Sequence, residues 1–341
     1  MILQPPTMPR PIVPVLFLAV LLLLIAFTST STSVSRHLSS IIPPSSSSKK
    51  GLRFSLFSKD PVLDARLAHA ERLWEQAVED RKEMVTASGD RQWPDGYIYP
   101  YNVWDFARPS FFCPHDLERV GTLGDGGKVV CGLSRYEAAS PGPSAATNPA
   151  PELVVYSFGV NDDSSFEAAL LQRTNAQIWG YDYTVNGWAK HIPAHQASRA
   201  HFTKAGIGKT VVRDREPPFF TIQELMKING HDYIDVVKMD IEGAEFDAIT
   251  SLVSSVLNNS ENNATLPLGQ LLIEIHLIDG NDSFSTPKDL ASFMEWWSSM
   301  ERLGLRPVNN EDNWIGDNMV GKPRFMEYTL INVLEKKNKL L

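Results

Sequence analysis

The chain has 341 residues, 43% of them hydrophobic, enough to bury one good core: an α/β domain with extensions. A formal net charge of −8 with no basic stripe argues against nucleic-acid binding. Two cysteines, Cys113 and Cys131, are too few for a disulfide scaffold or a zinc site, and leave either one bridge or two buried thiols.

The N-terminus carries an uncharged apolar run, Ile12 to Phe27, with Arg10 just before it. It is longer than the usual signal-peptide core of ~7–15 residues and shorter than a typical span of ~20. No small-residue cleavage site directly follows Phe27, so the run is expected to stay as a signal anchor, with secretion as the alternative if it is cleaved. Residues 28–50, mostly Ser, Thr and Pro up to Ser48, read as a stem. The single basic residue gives modest support to a lumenal C-terminal domain, in the Golgi or endoplasmic reticulum. Sequons at Asn258, Asn263 and Asn281 permit that location.

Residues 51–110 form an extension. Leu63, Leu67, Ala70, Leu73, Trp74, Ala77 and Val78 predict a packing helix over Pro61–Met84, and the aromatic, proline-rich 93–112 stretch should be irregular. Residues 111–341 form the main domain. GDGGKVVC (Gly124–Cys131) reads either as a tight hairpin or as a site-facing loop, and Ser140–Pro151 as an exposed loop. Strands are expected at ELVVYSF, at QIWGYDY and, shorter, at HFTKAGIG. Helices are expected from Phe166 and over Thr221–Ile228, the latter with Thr221 as N-cap and Glu224 at the capping-box position. The fourth strand leads into DVVKMDIEGAE (Asp235–Glu245), which stops on Asp240 and turns into a helix. QLLIEIH (Gln270–His276), a helix over Leu290–Leu303 and a strand pair at Leu305–Val308 and Phe325–Leu334 complete the domain.

In an open α/β sheet, ligands bind at the carboxyl ends of the strands. Glu242 and Glu245 are explained by a helix's first turn, where acids complement the dipole, but Asp240 at the strand tip is not. Glu274 and His276, two apart on one strand, project to the same face. His191, His195 and His201 have no carboxylate at ligand spacing, so no metal is expected there.

The element order resembles the class I S-adenosylmethionine-dependent methyltransferase fold, a Rossmann-like doubly wound sheet. The segment KMDIEGAE looks like the signature of FkbM-type methyltransferases. Together with GDGGKVVC, SFGVNDDSSFE and LLIEIH it is similar to methyltransferase-like proteins sharing that domain, several of which carry an N-terminal anchor. The resemblance covers roughly residues 110 to 335. It implies S-adenosylmethionine as cofactor, with its amino-acid end near Gly159 and Asn161, its ribose on Asp182 and its adenine near Gly206. The turn at Gly159 departs from the family, holding one glycine where two or three are usual.

Methyl transfer from a sulfonium is an in-line displacement, so the protein aligns donor and acceptor and manages one proton. Asp240, Glu242, Glu274 and His276 are the candidate catalytic residues, for O-methylation of a hydroxyl on a small molecule, glycan or protein. Two alternatives remain at this point. Asp240-Ile241-Glu242 would serve a Golgi-type glycosyltransferase as its metal-binding acids, and the thin glycine turn would suit a non-catalytic lumenal module.

Overall fold

A computed structural model describes residues 60–89, 93–94, 101–140, 152–259, 264–278 and 284–341. The Ile12–Phe27 run, the 28–50 stem and the sequons Asn263 and Asn281 lie outside the described residues, as does most of the 140–151 loop. Among the described residues, no helix is long and apolar enough to cross a membrane.

The chain enters through α1 (Pro61–Ser88), with Pro61 at its first position. There the missing N–H costs nothing, and the Asp60 carboxylate accepts from Val62 N at 3.0 Å and Leu63 N at 3.2 Å. The hairpin β1 (Leu117–Val120) and β2 (Lys128–Cys131) follows, then α2 (Leu133–Ala139), β3 (Val154–Phe158), α3 (Ser165–Arg173), β4 (Gln177–Asp182) and β5 (Ala200–Lys204). A two-residue pair, β6 (Gly206–Ile207) and β7 (Phe219–Phe220), precedes α4 (Ile222–Asn229) and β8 (Ile234–Met239). The chain closes with α5 (Glu245–Asn259), β9 (Leu268–His276), α6 (Leu290–Arg302), β10 (Leu305–Asp312), α7 (Trp314–Val320) and β11 (Phe325–Asn332).

Seven strands form one sheet in the order β10-β11-β9-β8-β3-β4-β5. The pairs among β5, β4, β3, β8 and β9 are parallel, while β11 runs antiparallel to both β9 and β10. The chain builds outward from β3 to β5, then returns to β8 on the other side of β3. That reversal opens a crevice at the carboxyl ends of β3 and β8, where an open α/β sheet receives ligands.

Alternation along the strands divides the core into two layers. Tyr156, Phe158, Val237, Met239, Leu271 and Ile273 pack against Leu225, Phe246, Phe293 and Trp297 of α4, α5 and α6. Val155, Ile178, Val236 and Leu272 meet Leu63 and Leu67 of α1 and Phe166 and Leu170 of α3. The first helix thus belongs to the same compact unit as the sheet. Arg306 ties it there, donating to the buried Glu71 carboxylate at 2.7 and 2.9 Å while its guanidinium lies 3.4 Å from the Trp74 ring centroid.

Several details differ from the sequence expectation. The helix from Pro61 continues four residues past Met84, to Ser88. The third strand stops at Lys204: Gly206 leaves the sheet and donates to Pro218 O at 2.9 Å, pairing with β7 instead. Thr221 does accept from Glu224 N at 3.2 Å, but the Glu224 carboxylate binds Arg213 and does not close the capping box. Cys113 and Cys131 are joined in a disulfide, with Cα atoms 5.8 Å apart.

Candidate active site

The turn after β3 is shaped by its neighbours. Gly159 has φ +76°, and a Cβ there would lie 1.7 Å from Asp240 O, so only glycine lets the ends of β3 and β8 approach this closely. Its N–H donates to Tyr181 O at 3.0 Å, and its carbonyl accepts from Lys238 Nζ at 2.6 Å. Val160 N and Asn161 N both donate to Asp182 Oδ2 at 2.9 Å, and Asn161 adopts a left-handed φ of 47° that asparagine tolerates. The other oxygen of Asp182 accepts from Thr184 N and Oγ1, each at 2.6 Å. Burial pushes the Asp182 pKa up, but these four donors outweigh it and hold the carboxyl below the usual range.

Gly159, Asn161 and Asp182 therefore form one hydrogen-bonded unit at the crevice. Gly206 stands apart on the β6–β7 pair, where a Cβ would meet the Phe219 ring at 2.4 Å. The absence of a side chain at Gly206 makes room for that ring.

The second half of the site gathers at the ends of β8 and β9 and the start of β11. His276 Nε2 lies 3.9 Å from Asp240, 3.6 Å from Glu242 and 3.9 Å from Glu274, so the structure brings all four candidate catalytic residues together. They differ sharply in environment. The Glu242 side chain is 77% exposed, that of His276 only 4%. Glu274 is buried and accepts from Asn313 Nδ2 at 2.6 Å.

Sequence reasoning missed four further partners. Lys128, at the end of the β1–β2 hairpin, reaches Asp240 at 3.2 Å and Glu274 at 3.9 Å and also binds Glu327, which pairs with Glu274 across the β9–β11 register. Glu245 is fully buried; it accepts from Ile241 N and Gly243 N at 2.9 Å each and holds His276 Nδ1 at 3.0 Å. Lys238 sits beneath the Gly159 turn, 3.6 Å from Glu167. Both lysines lay inside quoted segments, GDGGKVVC and KMDIEGAE, and a lone lysine in an otherwise apolar strand is the signal that could have found them. Glu327 is likewise the lone charge in its strand, Phe325–Asn332. The GDGG segment is a hairpin turn, and the strand it opens delivers Lys128 to the site.

These contacts set the charges. For Asp240, burial raises the pKa, but Lys128, Lys238 and His276 prevail and hold it below the usual carboxylate range. Glu274 is pushed up to about 9 by burial and by the neighbouring Asp240 and Glu327. Burial alone would lower His276, yet the Glu245 hydrogen bond and the surrounding acids raise it to about 10. At neutral pH the cluster thus presents an ionised Asp240, a protonated Glu274 and a cationic His276. An imidazolium donates hydrogen bonds and takes up no proton, which removes His276 as a base at that pH.

Among the described residues, Asp240, Glu274 and His276 offer ligand atoms within 4.8 Å of one another, as do Asp125, Glu274 and Glu327. Of the helix-region histidines, His191 lies 3.6 Å from Asp163, a carboxylate that sequence spacing did not reveal, and it makes no such cluster.

The donor set suits S-adenosylmethionine. Ionised Asp240, whose carbonyl packs against Gly159, favours a sulfonium nearby.

A family model described as a methyltransferase domain matches residues 63–320. No curated protein matches the chain. Solved structures with similarity include a 1,6-didemethyltoxoflavin-N1-methyltransferase from Burkholderia thailandensis, with bound 1,6-didemethyltoxoflavin and S-adenosylhomocysteine. It is 12% identical, covering 53% of this chain and 71% of that one at a TM-score of 0.30. A TehB-like S-adenosylmethionine-dependent methyltransferase from Corynebacterium glutamicum is 13% identical over 54% of this chain and 82% of that one, at a TM-score of 0.28. The family match spans α1 and the sheet through α7, which takes in every residue of the site except Glu327, and it sets the glycosyltransferase alternative aside. The chain belongs to the methyltransferase-domain family and is an S-adenosylmethionine-dependent methyltransferase.

Proposed function

We propose that the enzyme methylates a hydroxyl oxygen of a small molecule, glycan or protein. The observation that carries this reading is Asp240: an ionised carboxylate, partly exposed, at a strand tip next to the Gly159 turn. S-Adenosylmethionine, when bound, supplies an electrophilic methyl on a sulfonium. Gly159 and Asn161 would hold its amino-acid end and Asp182 its ribose, with Gly206 and the Phe219 ring toward the adenine. The four donors already on Asp182 fill its acceptor capacity of about four, so a ribose hydroxyl would displace Thr184. Asp240 orients the acceptor hydroxyl and takes up its proton as the oxygen becomes bonded. Cationic His276 stabilises negative charge developing on that oxygen, and Glu245 fixes its ring. Glu242 flanks the same imidazole from the solvent side. The KMDIEGAE segment supports an FkbM-type subgroup within the family.

Asp240→Asn keeps the volume and removes the charge. Methyl transfer from labelled S-adenosylmethionine should fall by about 10²–10⁴-fold with cofactor affinity kept. Asp182→Ala should do the reverse, weakening cofactor binding by roughly 1.5–3 kcal/mol in calorimetry. Full turnover in Asp240→Asn would dismiss the assignment.

We also propose a lumenal catalytic domain behind a retained anchor at Ile12–Phe27. The Cys113–Cys131 disulfide supports an oxidising compartment, and Asn258 is exposed as a glycan acceptor must be. Digestion of intact microsomes should spare the domain. Its degradation would refute the topology, and a mature N-terminus after Phe27 would show cleavage.

A further inference from the structure

Three carboxylates from three strands converge on one ammonium. Asp240 ends β8, Glu274 lies in β9 and Glu327 in β11, and Lys128 Nζ contacts all of them. An ammonium has three donors and no acceptor; here it donates to Asp240 and Glu327, with Glu274 a further 3.9 Å ion-pair neighbour. Carboxyl groups packed this closely need a cation or a proton among them, because like charges in a low-dielectric setting repel strongly; Glu274 keeps its proton and Lys128 is the cation. Ligand-compatible spacing occurs in two overlapping sets among the described residues, Asp240 with Glu274 and His276, and Asp125 with Glu274 and Glu327. Glu274 is common to both, and Lys128 reaches it.

The lysine is delivered by a clamped element. The hairpin register sets Lys128 opposite Val120, and Val129 O accepts from Thr329 Oγ1 at 2.6 Å. Arg119 Nη1 donates to Gly127 O at 2.7 Å, and its Nη2 binds Glu311 at 2.5 Å. Gly127 allows the tight turn: a Cβ there would lie 2.0 Å from Thr122 O. The Lys128 side chain is 2% exposed.

We propose that Lys128 is a built-in cation, occupying among Asp240, Glu274 and Glu327 the position a divalent metal would otherwise take, and that it positions Asp240 without any metal requirement. The inference concerns the charge balance of the cluster and stands whether or not the acceptor atom is oxygen.

Manganese is the probe, read by calorimetry and thermal shift on the whole protein, both independent of an acceptor. Wild type and Lys128→Arg should show no saturable manganese binding at this cluster. Lys128→Ala should gain one saturable manganese site, on the order of tenfold or more tighter than any weak manganese association of wild type, with a rise in Tm on adding manganese. Adding Glu274→Gln to Lys128→Ala should abolish the gain. If Lys128→Ala does not fold in metal-free buffer, it should refold with manganese and not with potassium. Failure to refold in either overturns the proposal. So does a folded Lys128→Ala that gains no manganese affinity, or a wild-type manganese site that Asp240→Asn removes.

Discussion

At the scale of single residues, the site is a problem of charge. His276 has its pKa raised from 6.5 to about 10, so the folded state holds a proton that the unfolded chain releases. Its stabilising contribution is complete below pH 6.5 and is lost as pH rises through about 10. Glu274 is a carboxyl raised from 4.5 to about 9, so its contribution is greatest below 4.5 and declines up to about 9. Asp240 shifts the other way and matters only under acid, where protonation releases Lys128 from its partner. Resistance to urea should therefore fall steadily from pH 6.5 to 9. His276→Gln should flatten part of that slope, and a wild-type profile already flat over the range would contradict the assigned proton positions. Asp240, Glu274 and His276 were legible in the sequence because an acid or histidine ending an apolar strand has few structural reasons to be there. Lys128 and Glu327 were not, because what defines their role is proximity across 199 positions of chain.

At the scale of elements, the turn from β8 into α5 carries the most information. Glu245 is the first residue of that helix, yet its role is more specific than complementing a dipole: both oxygens accept turn N–H groups, and one also holds His276. Glu242 sits in the same turn with φ +57°, a left-handed conformation costing an L-residue roughly 1–2 kcal/mol. Strain of this kind persists where the surroundings over-determine it, and it clusters at functional sites. Glycine removes the strain but adds about 0.5–1 kcal/mol of chain entropy to the unfolded state, so Glu242→Gly should stabilise by up to ~1.5 kcal/mol. A higher urea midpoint with unchanged m-value, together with weaker methyl transfer, is the expected pair of results. Destabilisation would show that the exposed carboxylate's contact with His276 outweighs the strain. Nothing in the pattern of DIEGAE reports a positive φ at glutamate. Strand and helix types were readable because their apolar periods are distinct. The split of β5 from β6 was hidden because what diverts the chain is the pairing of Gly206 with Phe219, a contact the local residues do not report.

At the scale of the molecule, the first helix packs on the main domain as its apolar stripe suggested, and is held there by polar contacts that composition did not report. A break before residue 111 looked natural, since a charged amphipathic helix and an irregular aromatic stretch precede it. Yet α1 covers one layer of the core through Leu63, Leu67 and Ala70, and its polar side is bonded as tightly as its apolar one. Glu71 and Arg306 are both buried, and Arg81 donates to Glu301 at 2.5 and 3.2 Å, with Trp74 Nε1 on the same carboxylate at 3.0 Å. Amphipathic spacing shows that a helix packs somewhere, but it does not show that its charged residues are half of buried pairs. The consequence is testable. Glu71→Ala leaves the Arg306 guanidinium buried without its partner, a loss of about 3–5 kcal/mol, whereas Glu71→Ala with Arg306→Met replaces the pair by apolar packing and should recover most of it. A chain beginning at residue 111 exposes the whole layer that α1 covers and should fail to give a cooperative unfolding transition. If that shortened chain instead melts cooperatively and binds S-adenosylmethionine like the full protein, the helix is a dispensable extension and the buried pair merely fastens it.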